Sequence, residues 1–286
     1  MKIELKCVVC NTQLIILKLD IDNVYTNYEC SNCSLKQVDV NERSNSKKIH
    51  ETEFWKEDSD YGYFTGTDFT HKKVQDLVLS WNSWFSTFKK LFNGKTILDI
   101  GSGTGISLVK FEQKGFTVTG IEPDKENTRK INQVLKKGNC INGFIENIKI
   151  DEKFDIIWSS HSLEHLEDPN LCFKKAFELL KNTGMFCVIV PDGDYLQSLK
   201  QSMKNRYHLF HYSKNSLKKL GEKHGFQLIS ISSYKIMNKN IFRIHKIVRK
   251  FGLTKISELF EPHYPFQKTS KNNGSEIRIG YKKSIK

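Results

Sequence analysis

No apolar run in the 286 residues reaches the roughly 18 needed to cross a bilayer, so nothing in the sequence reads as a transmembrane helix. The first residues, MKIELKCVVC, lack the apolar core of a signal peptide, and a cytoplasmic protein is expected. No internal repeat is visible, which argues against a repeat architecture. Acidic residues run short toward the end. From Ile236 to Lys286 there are three, Glu258, Glu261 and Glu276, against twelve Lys and Arg, which places +9 of the net +13 in that stretch. Such a skew suits an anionic partner: nucleic acid, membrane headgroups or a phosphorylated substrate. It equally suits a Lys-rich solvated surface. A hydrophobic content of 38% and a charged content of 27% fit a globular chain, long enough for one large domain and a small module.

What is present begins with cysteine. Four of the seven form two pairs, Cys7 with Cys10 and Cys30 with Cys33, each pair enclosing two residues. That spacing lets one tight turn offer two thiolates to a metal, and two such turns complete a tetrahedron. The segment between them, LIILKLDIDNVYTNYEC, reads as two short strands around Asp22 and Asn23. A four-cysteine zinc ribbon over residues 1–40 is expected, closed and structural because four thiolates fill the metal. Disulfides are the alternative, disfavoured in a reducing compartment. Cys140, Cys172 and Cys187 fall in apolar elements and read as packing residues. The polar run NERSNSKK, within residues 41–50, reads as a linker.

From residue 51 to 286 strands and helices alternate. Strands are expected at 97–100, 116–122, 140–144, 154–160, 185–190, 226–234 and 276–283. Helices are expected at 104–113, 125–137, 169–181 and 214–223, the third capped by Asp168 with Gly184 just past its end, the fourth capped by Ser213. Trp81, Trp84, Phe85 and Phe88 share one face of an earlier helix and read as core. Apolar strands separated by amphipathic helices imply a parallel sheet covered on both faces. Ligands in such sheets bind beyond the carboxyl ends of the strands.

The stretch ILDIGSGTGISLVKF sits at such an end. Gly101, Gly103 and Gly105 alternate directly after the first strand, with Asp99 and Ser102 among them. The pattern is not the G-x-G-x-x-G of dinucleotide enzymes. Glu122 closes the next strand, where a carboxylate can accept both hydroxyls of a ribose. The motifs LDIGSGTG, VTGIEPD, FDIIWSSHSLEHLEDP and HLFHYSKNSLKKLGEKHGF together resemble the class I S-adenosylmethionine-dependent methyltransferases. Ubiquinone-biosynthesis O-methyltransferases and sugar methyltransferases of polysaccharide pathways are the similar enzymes. The resemblance implies an α/β, doubly wound Rossmann-like sheet, with the zinc ribbon lying outside it. It implies S-adenosyl-L-methionine as cofactor, with the loop Gly101–Gly105 near its methionine part, Glu122 on its ribose and Ser160 after the fourth strand. Asp99, Ser102, Pro123 and Ile145 complete the expected cofactor site. The acid that the family often places after the third strand is Phe144 here, so either Glu146 substitutes or the adenine is held by packing and backbone.

Methyl transfer to a hydroxyl needs a positioned nucleophile and a proton acceptor. His161 and His165 follow the fourth strand with Glu164 between them, and His208 and His211 come later. Three readings stay open: His161 as general base or substrate-binding group; His161, Glu164, His165 and a later histidine as ligands of a divalent metal; or Glu164 and His165 as structural. In the metal reading imidazole-rich ligation favours Zn, Fe or Ni over Mg. Aromatic residues Phe54, Trp55, Tyr61, Tyr63 and Phe64 read as an arm across the cofactor. Residues 236–274 read as a basic insertion before the last strand, with 241–251 as a cap or a basic amphipathic helix. The expected acceptor is a small molecule, a hydroxyl of a sugar, glycolipid precursor or similar metabolite. An RNA or protein acceptor, gripped by the ribbon and the basic end, is the alternative, and a non-catalytic binding protein is a third. Peripheral membrane contact stays open, and the oligomeric state is not legible.

Overall fold

The computed structural model describes residues 5–19, 25–39, 72–236, 265–270 and 273–284. The expected linker, the aromatic arm and the basic stretch 241–251 lie outside these residues.

An eight-stranded sheet forms the centre. Its first strand, β4 (Thr96–Ile100), is flanked by parallel neighbours β5 (Thr117–Glu122) and β7 (Phe154–Ser160). β6 (Asn139–Asn142) extends one side, and β8 (Leu180–Pro191) extends the other, both parallel. The chain thus runs outward from β4 to β6 and returns to β7, creating a switch in strand order between β4 and β7. β12 (Glu276–Lys283) inserts antiparallel between β8 and β10 (Phe226–Ile236), so the sheet is mixed and not wholly parallel as expected. The antiparallel insertion follows from chain order. β10 already lies parallel to β8 one strand away, and the gap is filled by the returning end of the chain. β11 (Phe266–Thr269), inside the expected insertion, pairs with β10 at the sheet edge.

The helices begin where their caps say. α1 (Lys72–Phe88) brings Trp81 and Phe88 to full burial, with Trp81 stacked on Phe85 at 5.0 Å between ring centroids. α2 (Ile106–Gln113) starts from the glycine loop, and α3 (Lys125–Val134) starts where Asp124 accepts from the Asn127 amide. α4 (Pro169–Leu179) has the Asp168 cap and the proline at its first turn. It stops earlier than expected. Leu180 is already extended and opens β8, so Gly184 lies within that strand and not at a helix end. α5 (Leu196–Met203), without a side-chain cap, was not visible in the sequence. α6 (Lys214–Lys223) carries the Ser213 cap in a reciprocal capping box with Ser216. Cys140, Cys172 and Cys187 are buried free thiols, as read from the sequence. No helix among the described residues is long and apolar enough to cross a membrane.

The N-terminal residues form a second, small sheet. β1 (Leu14–Ile16), β2 (Asn27–Cys30) and β3 (Lys36–Val38) pair antiparallel in sequence. A fourth strand comes from far along the chain: β9 (Phe210–His211) pairs with β3. The apolar residues Cys7, Val9, Leu35 and Val38 join the same core as Phe173, Tyr212 and Leu217. The small sheet is therefore built into the large domain through both hydrogen bonds and packing.

Candidate functional site

The glycine loop between β4 and α2 answers to its backbone first. Gly101, Gly103 and Gly105 have φ of 74°, 55° and 81°, the left-handed region that L side chains enter with strain. Space is short as well. A Cβ on Gly101 would lie 2.2 Å from the Ser162 hydroxyl, and one on Gly105 would lie 2.6 Å from Ile131. Gly103 donates its amide to Oε2 of Glu122 at 2.7 Å, and Asp124 donates to Oε1 at 3.0 Å. Glu122 is thus fixed at the end of β5 by the loop it faces and by the start of α3.

These residues line one end of a cavity of about 840 Å³ beyond the carboxyl ends of β4, β5 and β7. Gly101, Ser102, Gly103, Glu122, Pro123, Ile145, Glu146 and Ser160 all border it. Two residues of the expected cofactor set do not. Gly105 turns into α2 against Ile131, and Asp99 is sealed behind the loop at 1% exposure. Burial raises the Asp99 carboxyl to about 7, and neither of its oxygens accepts a hydrogen bond among the described residues.

The other end of the cavity carries the histidines. His161 follows β7 with φ 50°, held there by its amide bonding to the Ile189 carbonyl at 2.8 Å. Its ring sits between two carboxylates, Nδ1 at 3.5 Å from Glu164 and Nε2 at 3.5 Å from Glu276. Surrounding protein opposes charging the ring, but the two carboxylates outweigh that and raise it to about 10. This pairing weighs against the general-base reading. A ring protonated at neutral pH, with both nitrogens directed at carboxylates, has no lone pair for a substrate proton. His161 is also not among the ligand atoms that gather at Glu164, His165 and His208.

Glu276 belongs to a buried chain of charges that the sequence analysis missed. Its Oε1 accepts from Trp84 Nε1 at 3.0 Å and from Arg278 Nε at 2.6 Å. Arg278 is 1% exposed, bonds the Ser83 carbonyl and Thr87 hydroxyl, and stacks 3.7 Å from the Tyr234 ring centroid. The signal was present. Glu276 and Arg278 stand at i and i+2 of an apolar strand and so share one face. Trp84 is core as expected, yet it also borders the cavity beside His161.

Glu164 is 1% exposed and does not itself line the cavity. Neither of its oxygens accepts a hydrogen bond among the described residues. One oxygen lies within 4.8 Å of ring nitrogens of His165 and His208, which are equally close to each other. The two rings meet edge to face at 4.7 Å. His165 directs Nδ1 to the Tyr207 carbonyl at 2.9 Å, and His208 directs Nδ1 to the Ser202 hydroxyl at 2.7 Å. In neutral rings the first contact makes Nδ1 the donor and leaves Nε2 as the basic nitrogen. His211 does not join. It is 2% exposed, lowered to about 3 by burial, and reaches Ser202 from the opposite side at 2.8 Å.

The four N-terminal cysteines form a separate cluster. Their sulfurs all lie within 4.8 Å of one another, with Cys7 to Cys33 at 3.5 Å and Cys10 to Cys30 at 3.4 Å. The contact between Cys7 and Cys33 holds Cys7 below the ordinary thiol range and raises Cys33, as when two thiols share one proton. Thiolates on a tetrahedral zinc at roughly 2.3 Å would stand about 3.8 Å apart, and the 3.4 and 3.5 Å spacings fall a little short of that value. Protein purified without chelator is expected to hold about one zinc per chain by elemental analysis, and Cys30→Ser to lose it. Metal-free wild type would refute the assignment.

The sequence of residues 70–231 matches the family model described as a methyltransferase domain. A ubiquinone biosynthesis O-methyltransferase of Rhodopseudomonas palustris is 30% identical over 99 residues, covering 33% of this chain and 39% of that protein. The match therefore spans well under half the length of that curated relative. An uncharacterized methyltransferase of Alkaliphilus oremlandii is 38% identical over 69 residues, covering 24% of this chain and 32% of the relative. Among solved structures, an S-adenosylmethionine-dependent methyltransferase of Thermotoga maritima superimposes with a TM-score of 0.53 at 20% identity, over 74% of this chain and 94% of that one. The plantazolicin methyltransferase BpumL, solved with a desmethyl plantazolicin analogue and S-adenosylhomocysteine (SAH), superimposes with a TM-score of 0.55 at 14% identity. It covers 86% of this chain and 98% of its own. At these identities the structures speak for the fold.

Proposed function

This chain belongs to the methyltransferase domain family, and we propose that it transfers a methyl group from S-adenosyl-L-methionine to an oxygen of a small-molecule acceptor. The observation that carries the reading is one cavity with two unlike ends. A glycine loop tied to Glu122 forms the first, and His165 and His208, with the buried Glu164 within 4.8 Å of their ring nitrogens, form the second. A volume of about 840 Å³ falls within the roughly 300–1,000 Å³ of small-molecule sites.

On this reading Glu122 takes the ribose hydroxyls, and Gly101, Ser102 and Gly103 lie along the methionine part. Ile145 and Glu146 flank the adenine, and Pro123 and Ser160 complete the wall. Bound there, the cofactor supplies an electrophilic methyl group on a sulfonium. The chain's task is then to align the acceptor oxygen with that methyl and to remove its proton. His165 and His208 are placed for both, because their outer nitrogens are fixed by Tyr207 and Ser202. A buried carboxylate, paired with His161 on one side and within reach of two such rings on the other, supports the form of the reading with a divalent cation on Glu164, His165 and His208. Such a cation would bind the acceptor oxygen and lower its pKa. Gln201, Lys204 and Asn205 border the cavity together with the aromatic faces of Trp84 and Phe266. Polar groups with flat apolar faces suit a hydroxylated ring, which supports a sugar or similar metabolite.

Calorimetry with SAH tests the cofactor half. Glu122→Gln is expected to weaken binding by about 1–3 kcal/mol, since hydroxyl donors would face an amide in place of a carboxylate. Gly103→Val is expected to be worse, as a branched side chain cannot follow φ 55°. Unchanged affinity in both variants would sink the assignment.

A further inference from the structure

None of the described residues of the N-terminal ribbon borders the cavity. The ribbon is nevertheless one hydrogen-bonded step from the acceptor end. Leu209 donates its amide to the Glu164 carbonyl at 2.8 Å, and its own carbonyl accepts from the Val38 amide at 3.1 Å. One residue thus joins Glu164 to β3. The next two pair across, Phe210 opposite Gln37 and His211 opposite Lys36. Lys36 is 7% exposed and reaches out of the ribbon to the Gly193 carbonyl at 3.1 Å. Gly193 in turn donates to the Tyr212 carbonyl at 2.8 Å.

The turns that carry the cysteines are tied down as directly. The Cys33 carbonyl accepts from Ser213 Oγ at 2.7 Å, and the same hydroxyl caps α6. The Val8 carbonyl, between Cys7 and Cys10, accepts from Asn170 on α4 and Lys223 on α6, both at 3.0 Å. The Asn32 carbonyl, between Cys30 and Cys33, accepts from Asn215 and Lys219. Segment 208–211 is therefore clamped between the ribbon and Glu164, and it presents His208 to the cavity. The Gly103–Glu122 end rests on β4, β5 and α3, with none of these contacts.

We propose that metal on the four cysteines positions the acceptor half of the site and leaves the cofactor half independent. A structural zinc supplies folding free energy to the turns that bear its ligands. Loss of zinc frees the Cys7–Cys10 and Cys30–Cys33 turns, then β3, then β9. His208 and the backbone of Glu164 lose their common support. Lys36 is a positioning residue by the same route. The inference rests on reading Glu164, His165 and His208 as the acceptor cluster, but its test needs no acceptor.

The test is amide hydrogen exchange on the full chain, zinc-loaded and zinc-stripped, with SAH calorimetry alongside. Stripping is expected to speed exchange at Leu209–Tyr212 by about tenfold or more, as in local opening, with SAH affinity retained. Ribbon amides that open while Leu209–Tyr212 stay protected would overturn the proposal. If the stripped chain unfolds throughout, Lys36→Met decides, since it keeps all four thiolates. With zinc retained by elemental analysis, Lys36→Met is expected to expose Leu209–Tyr212 and keep SAH affinity, and Lys36→Arg to restore protection. Unchanged protection in Lys36→Met, or SAH affinity lost with it, overturns the proposal in that case. Turnover of Glu164→Gln judges the underlying reading of the cluster separately.

Discussion

Glu164→Gln is expected to lower methyl transfer by roughly 10³-fold, about 4 kcal/mol of transition-state stabilisation, within the range for removing a group at a reacting proton. The substitution is nearly isosteric, so the 3-10 turn at Leu163–His165 should keep its shape. What changes is charge. A carboxylate buried to 1% and paired with His161 stands beside His165 and His208. It is the only anion of that trio of potential ligands, and an amide cannot balance a cation or a protonated imidazole there. SAH affinity is expected to hold, because Gly103 and Glu122 lie at the other end of the cavity. The measurement is steady-state transfer from labelled cofactor, with chelator and divalent cation added in turn to wild type and variant. Normal turnover in Glu164→Gln would remove the cluster from the chemistry. Chelator sensitivity that survives the substitution would place the cation elsewhere, with the four-cysteine ribbon as the remaining candidate.

Legibility in the sequence followed the range of the interactions. The strand at residues 154–160 and the caps Asp168 and Ser213 are local features, and the structure places them where the sequence does. The glycine loop was legible too, although part of its reason is conformational: three left-handed residues in a row of alternate positions. β3 and β9 were not legible. Strands of three and two residues carry no periodicity, and their pairing joins Lys36 to His211 across most of the chain. The surroundings of His161 were not legible for the same reason. Its loop was identified correctly, but its character is set by Glu276 at the far end of the sequence, brought alongside by β12 entering the sheet antiparallel.

His161→Ala is expected to destabilise the fold by about 2–3 kcal/mol, somewhat less than the roughly 3–5 for breaking a wholly buried ion pair. The discount follows from exposure: 39% of the His161 side chain faces the cavity, so water can enter the gap. The variant leaves Glu164 and Glu276 as two buried carboxylates without the cation between them, and only Glu276 retains a counter-charge, in Arg278. The pH dependence gives a sharper signature. The folded-state pKa of His161 is raised to about 10 from an ordinary 6.5. A raised value means that its contribution is present in full below pH 6.5 and is lost as pH climbs through about 10. Denaturant titrations of both proteins across pH 6–10, without added divalent cation, would read the difference between them. That difference is expected to be largest at pH 6 and to shrink toward pH 10, while other titrating groups cancel in the subtraction. A gap that stays constant over the whole range would mean that His161 is neutral in the fold, and would return it to candidacy as the base.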